Sequence, residues 1–146
     1  MKKLLFAILA SLLFTSAALA QIKVTAPWIR ATVPQQTSTG VFLQLQAAKA
    51  ARLVEVRSPG AVGAIHQMEM SGQVMKMREI DGVDLAAGRP VSFSSGGLHI
   101  MLSELKRPYR EGDIVPVTLV VLAADGKRHE IMLQVPVKPL NYVAPR

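Results

Sequence analysis

Apolar and polar residues alternate with a period of two along most of the chain, and this pattern predicts β-strands rather than helices. Ile22-Lys23-Val24-Thr25-Ala26 sets the pattern and runs into Pro27-Trp28-Ile29-Arg30, where the proline predicts an edge or a kink. Val41 to Gln46, Arg52 to Arg57, Ile65 to Met77, Pro90 to Phe93, Leu98 to Leu102, Ile114 to Leu122 and Glu130 to Val137 continue the series. Turn signals stand between these runs: the polar stretch Val33 to Gly40, Ser58-Pro59-Gly60, Gly96-Gly97, Glu111-Gly112-Asp113 and Asp125-Gly126. Val83 to Gly88 reads as a short, turn-rich connection. Ala47 to Ala51 is mildly helix-friendly but too short to stand as a helix. Eight or more short strands without a long helix make an all-β chain, an antiparallel sandwich or barrel.

The N-terminus departs from this pattern. Lys2 and Lys3 precede an apolar run from Leu4 to Phe14, and Ala18-Leu19-Ala20 is a small-x-small cleavage signal. Residues 1–20 therefore read as a signal peptide cleaved after Ala20, residues 21–137 as one β-domain, and residues 138–146 as a loosely held, proline-punctuated tail. The apolar run is short for a membrane span and no stop-transfer charges follow it, so no stable membrane anchor is expected. The sequence contains no cysteine. In an exported chain this leaves no disulfide framework, no lipid attachment site and no thiolate for blue-copper electron transfer.

Charge adds less. The chain has 17 basic and 10 acidic residues, and removal of Lys2 and Lys3 leaves 15 basic. They are scattered, without an aromatic platform, which argues against nucleic acid as a partner.

Candidate chemistry concentrates between His66 and Met101, where two of the three histidines and five of the seven methionines lie. Imidazole and thioether are the donors that hold a soft metal ion without a thiol. A two-residue turn at Ser71-Gly72 would set Met68 opposite Met75 and His66 opposite Met77, with all four on one face. On the later strand, His99 and Met101 share a face while Leu98, Ile100 and Leu102 take the other. One His and one Met from each piece make a His2Met2 set suited to copper(I). Zinc sites favour thiolate, imidazole and carboxylate instead.

The remaining candidates read as structural. Trp28 and Met132 are expected in the core, and His129 is unremarkable beside its turn. Met68, Met70 and Met75 are either packing, an apolar rim or weak secondary ligands. No Ser/His/Asp set or paired carboxylates stand out, so an enzyme is not expected. Three functions remain: copper(I) delivery, copper sequestration without a dedicated acceptor, and a structural sandwich with incidental methionines.

The spacing of His66, Met77 and His99-x-Met101 resembles the metal motif of the PCu(A)C family of periplasmic copper chaperones. Ala26-Pro27-Trp28-Ile29-Arg30-Ala31, Met75-Lys76-Met77-Arg78, Gly96-Gly97-Leu98-His99-Ile100-Met101-Leu102, and Leu105-Lys106 with Glu111-Gly112-Asp113 are also similar to that family. The resemblance covers nearly all of residues 21–146. It implies a cupredoxin-like β-sandwich in the periplasm that binds Cu(I) through His66, Met77, His99 and Met101. It also implies delivery to the Cu(A) centre of cytochrome c oxidase, alone or with a Sco-type protein. Some family members carry a His/Met-rich C-terminal tail; here residues 138–146 contain neither residue.

Overall fold

Pro27 decides the course of the first strand. In the computed structural model, which describes residues 21–145, β1 (Ile22–Arg30) pairs with β2 (Thr39–Ala47) from Ile22 to Thr25 and again at Trp28 and Ile29. Between them the register shifts and Ala26 takes a left-handed φ of 49°. This is the expected kink, made as a bulge because proline has no N–H to donate to the ladder. The remaining strands are β3 (Ala51–Arg57), β4 (Val62–Ser71), β5 (Val74–Ile80), β6 (Val83–Leu85) and β7 (Pro90–Phe93). β8 (Leu98–Ser103), β9 (Ile114–Ala123) and β10 (Arg128–Lys138) complete the set. No helix occurs among the described residues.

The strands run in the order β5-β4-β8-β2-β1-β10-β9-β3-β6, with β7 joined to β2 beyond the end of β8. β1 and β10 are parallel at Ile29↔Val137 and Arg30↔Lys138; the other ladders are antiparallel. This short seam joins two layers whose inward residues share one core. From the first layer come Ile29, Val41, Leu43, Leu45, Ile65, Ile100 and Leu102, and from the second Leu53, Val56, Val117, Leu119, Val121 and Val135. The fold is an antiparallel-dominated, cupredoxin-like β-sandwich.

Two expectations need correcting. Val83 to Leu85 is a strand, β6, paired with β3 and burying Val83 and Leu85. Three residues of alternation between Gly82 and Gly88 are too short a signal to stand out beside the turn residues. Met132 is not in the core: it is 80% exposed on the outer face of β10, opposite Thr118. The inward phase belongs to Ile131, Leu133, Val135 and Val137.

Trp28 is buried, as expected, against Phe42 at 4.6 Å between ring centroids and edge-on to Tyr142 at 4.8 Å. Tyr142 thereby brings the C-terminal segment onto β1. On the second layer, Val120 is buried on the outer face between Glu55 and Glu130. Arg57 pairs with both carboxylates and Arg128 with Glu55. The expected signal peptide, residues 1–20, lies outside the described residues.

Candidate metal centre

Gly72 sets the hairpin that carries half of the candidate site. Its φ of 65° needs the left-handed region, which two-residue hairpin turns require at their first position. The turn is therefore Gly72-Gln73, and Ser71 pairs with Val74 at the end of the ladder. The observed pairs are His66↔Glu79, Met68↔Met77 and Met70↔Met75. This corrects the expected register, in which Ser71-Gly72 formed the turn and His66 faced Met77. The Ser-Gly dipeptide marked the turn, but the backbone conformation decides which residue comes first in it. Each partner moves by two residues, an even number, so no side chain changes face. His66, Met68, Met70, Met75 and Met77 all remain on one side of the β4-β5 hairpin.

β8 supplies the other half. It pairs with β4 so that His66 faces His99 and Ala64 faces Met101. The two imidazole rings are 5.6 Å apart between centroids and nearly perpendicular, at 83°. Met77 reaches across from β5, and its Sδ lies 3.2 Å from His99 Nε2. Met101 shares the His99 face two residues along β8, while Ile100 and Leu102 point into the core. On its other side Met101 is registered with Gly40, over which the Phe42 ring folds.

Thus the structure brings together His66, His99 and Met77, with Met101 beside them on the same face. Met68 lies next to Met77 across the hairpin, and Met70 and Met75 lie farther out toward its tip. Sequence reasoning missed Glu79, which stands opposite His66. The phase of Met75, Met77 and Glu79 would have found it once the register was known.

The hydrogen bonds assign protons as well as positions. The Gly97 carbonyl lies 3.2 Å from His99 Nδ1 and can only accept, which assigns the proton of the neutral ring to Nδ1. Nε2 then presents a lone pair to the Met77 sulfur, itself a lone-pair donor. Two donors converge with no hydrogen between them, an arrangement that a soft cation reconciles. His66 Nδ1 is buried and has no hydrogen-bond partner among the described residues. An orphaned buried nitrogen costs about 1–3 kcal/mol, which a ligand role would recover. Burial, followed by the nearby His99, pushes the His66 imidazole below its ordinary 6.5, against an opposing pull from Glu79. It is therefore neutral and ready to coordinate at neutral pH. Among the described residues no group of three or more His, Asp or Glu is placed to hold a metal ion; the donors that converge here are imidazole and thioether.

The LpqE-like family model matches residues 22–137. The chain belongs to this PCu(A)C family. Comparison with curated proteins finds no match. Among solved structures, the apo PCuAC domain of PmoF2 is similar over 88% of this chain and 98% of its own, with 21% identity and a TM-score of 0.67. The copper-bound form of that domain is similar over 84% of this chain and 96% of its own, with 21% identity and a TM-score of 0.64. The solution structure of CuI-DR1885 from Deinococcus radiodurans aligns over 84% of this chain and 83% of its own, with 24% identity and a TM-score of 0.59. The PCu(A)C family is one of copper-binding chaperones, not a known class of enzyme. Its LpqE-like description names lipoproteins, which fits an exported protein, although this member has no cysteine to carry a lipid.

Proposed function

We propose that this PCu(A)C protein is a periplasmic metallochaperone that binds Cu(I) through His66, Met77, His99 and Met101. The observation that carries this reading is the convergence of His99 Nε2 and Met77 Sδ at 3.2 Å. The facing imidazole of His66, whose buried Nδ1 has no hydrogen-bond partner among the described residues, supports it. The fold shared with the copper-bound PmoF2 domain and with CuI-DR1885 points the same way.

The donors suit carriage as well as binding. Thioethers need no deprotonation and cannot be lost to disulfides in an oxidising compartment. Met77 is exposed on an edge strand, so its sulfur can leave the ion while the more buried His99 still holds it. Stepwise ligand release of this kind allows an acceptor to replace one donor at a time. The proposed acceptor is the Cu(A) subunit of cytochrome c oxidase, reached directly or through a Sco-type protein.

Stopped-flow mixing of the Cu(I)-loaded protein with an apo Cu(A) domain tests delivery. Transfer whose rate rises with acceptor concentration and is insensitive to a solution chelator supports it. Transfer limited by release of copper to solution contradicts it, as would a deletion strain that becomes copper-sensitive while keeping full oxidase activity under copper limitation.

A further inference from the structure

β4 pairs with β8 as far as Gln67, and the Met68 N–H still donates to the Gly97 carbonyl at 3.3 Å; beyond Met68 β5 alone accompanies it. Met68 to Met77 thus forms a two-stranded arm anchored at its base by the Met68–Gly97 bond, and β5 is one edge of the sheet. The arm's two faces differ in chemistry. One carries Glu69, Lys76 and Arg78, with Glu69 and Arg78 paired. The other carries Met68, Met70, Met75 and Met77 as two directly opposed pairs.

Core filling, the usual reason for methionine in a strand, does not apply to three of the four; Met68 is half-buried. Met70 is 64% exposed, Met77 52% and Met75 47%. An isolated hairpin is marginal in water, and apolar side chains on a free edge invite association. Four thioethers displayed there are soft donors on one face. Opposed residues place their Cβ atoms about 4.5–5.5 Å apart, within reach of one shared ion. Successive pairs on one face are about 7 Å apart along the strand. Met77 belongs both to this ladder and to the contact with His99.

We propose that Met68, Met70 and Met75 form a second, thioether-only site for a soft monovalent cation, Cu(I) or Ag(I), which loads the His/Met centre through Met77. The loading role rests on the reading that His66, Met77, His99 and Met101 hold Cu(I). In transfer, a metal–sulfur bond to Met70 or Met75 breaks as one to Met77 forms, and His99 Nε2 then joins with its free lone pair. No electron moves, and no proton leaves His99 because its hydrogen already sits on Nδ1. Neutral thioethers alone hold the ion less firmly than a set containing imidazole, which gives the transfer its direction.

The test is an Ag(I) titration of the protein followed by NMR of methyl-labelled methionines, with each methyl assigned. Three forms are compared: the unaltered protein, Met70→Leu/Met75→Leu, and His66→Ala/His99→Ala. Leucine keeps the arm apolar and of similar volume. In the unaltered protein the first equivalent should shift the Met77 and Met101 methyls, and a second should shift Met68, Met70 and Met75. The leucine variant should bind one equivalent, keep the Met77 and Met101 response and load more slowly from limiting Ag(I). In the histidine variant the arm methyls should still shift. Arm methyls unmoved by excess Ag(I) in both the unaltered protein and the histidine variant would overturn the proposal. Arm methyls that respond while Met77 and Met101 stay silent would sink the primary site instead, and with it the loading role.

Discussion

Gly63 is where β4 passes closest to β3, three residues before His66. A Cβ at this position would stand 2.2 Å from the Val56 carbonyl oxygen and 2.8 Å from its carbon, whereas ordinary contact begins at 3.4 Å. The obstacle is backbone, so no rotamer change relieves it; the strands must part by about 1 Å in an interior packed at crystal-like density. Gly63→Ala should therefore reach the upper end of the overpacking range, about 3 kcal/mol. For a domain of this size that lowers Tm by about 10 °C. Gly72→Ala is the matched comparison, because its φ is 65° but nothing lies within 4 Å of the added carbon. There the left-handed backbone costs about 1–2 kcal/mol, partly offset by a less flexible unfolded chain. Thermal unfolding followed by circular dichroism, with all three proteins at one pH, measures both. Gly63→Ala as stable as the unaltered protein, or more stable than Gly72→Ala, would refute the close-approach argument.

Three further outcomes are expected. Because the folded pKa of His66 lies below 6.5, the unfolded chain takes up the proton first, so the metal-free protein should lose stability as pH falls through 6.5 and level off below the folded pKa. His66→Gln should flatten that dependence in denaturant titrations; an unchanged slope contradicts the assignment. The charges around Val120 are about half exposed, so a double-mutant cycle between Arg57 and Glu130 should give a coupling below about 1 kcal/mol that fades with salt. A coupling several times larger and indifferent to salt would show that the network is desolvated. Trp28 is the only tryptophan, and Tyr142→Ala should remove an edge-on aromatic contact worth about 1 kcal/mol and shift its fluorescence to the red. Unchanged emission would mean that Tyr142 does not shield it.

The fold was legible wherever alternation was long. β9 and β10 run over ten and eleven residues, and their inward phase follows from Val115, Val117 and Leu119 or Val135 and Val137. β6 escaped notice because three residues carry almost no periodicity. Met132 was misread by residue type, although its neighbours Ile131 and Leu133 already occupied the inward phase. At the site, parity protected the face assignment: the hairpin register is shifted by two, which alters partners but not faces. Two facts were beyond the sequence. Only tertiary pairing sets His66 against His99, and only side-chain reach brings Met77 to His99 across the intervening strand. Glu79 entered through the same corrected register.

The proposed centre holds Cu(I) by His99 and Met77 together with His66 and Met101. The decisive measurement is competition against a Cu(I) chelator, using His66→Ala, Met77→Leu, His99→Ala and Met101→Leu, with Met132→Leu as an exposed control. Each of the four should weaken Cu(I) binding by tenfold or more, at least about 1.4 kcal/mol, while Met132→Leu stays at the unaltered value. Met77→Leu should do so without changing Tm, since its side chain is half exposed. Full Cu(I) affinity in both Met77→Leu and His99→Ala would mean that copper binds elsewhere.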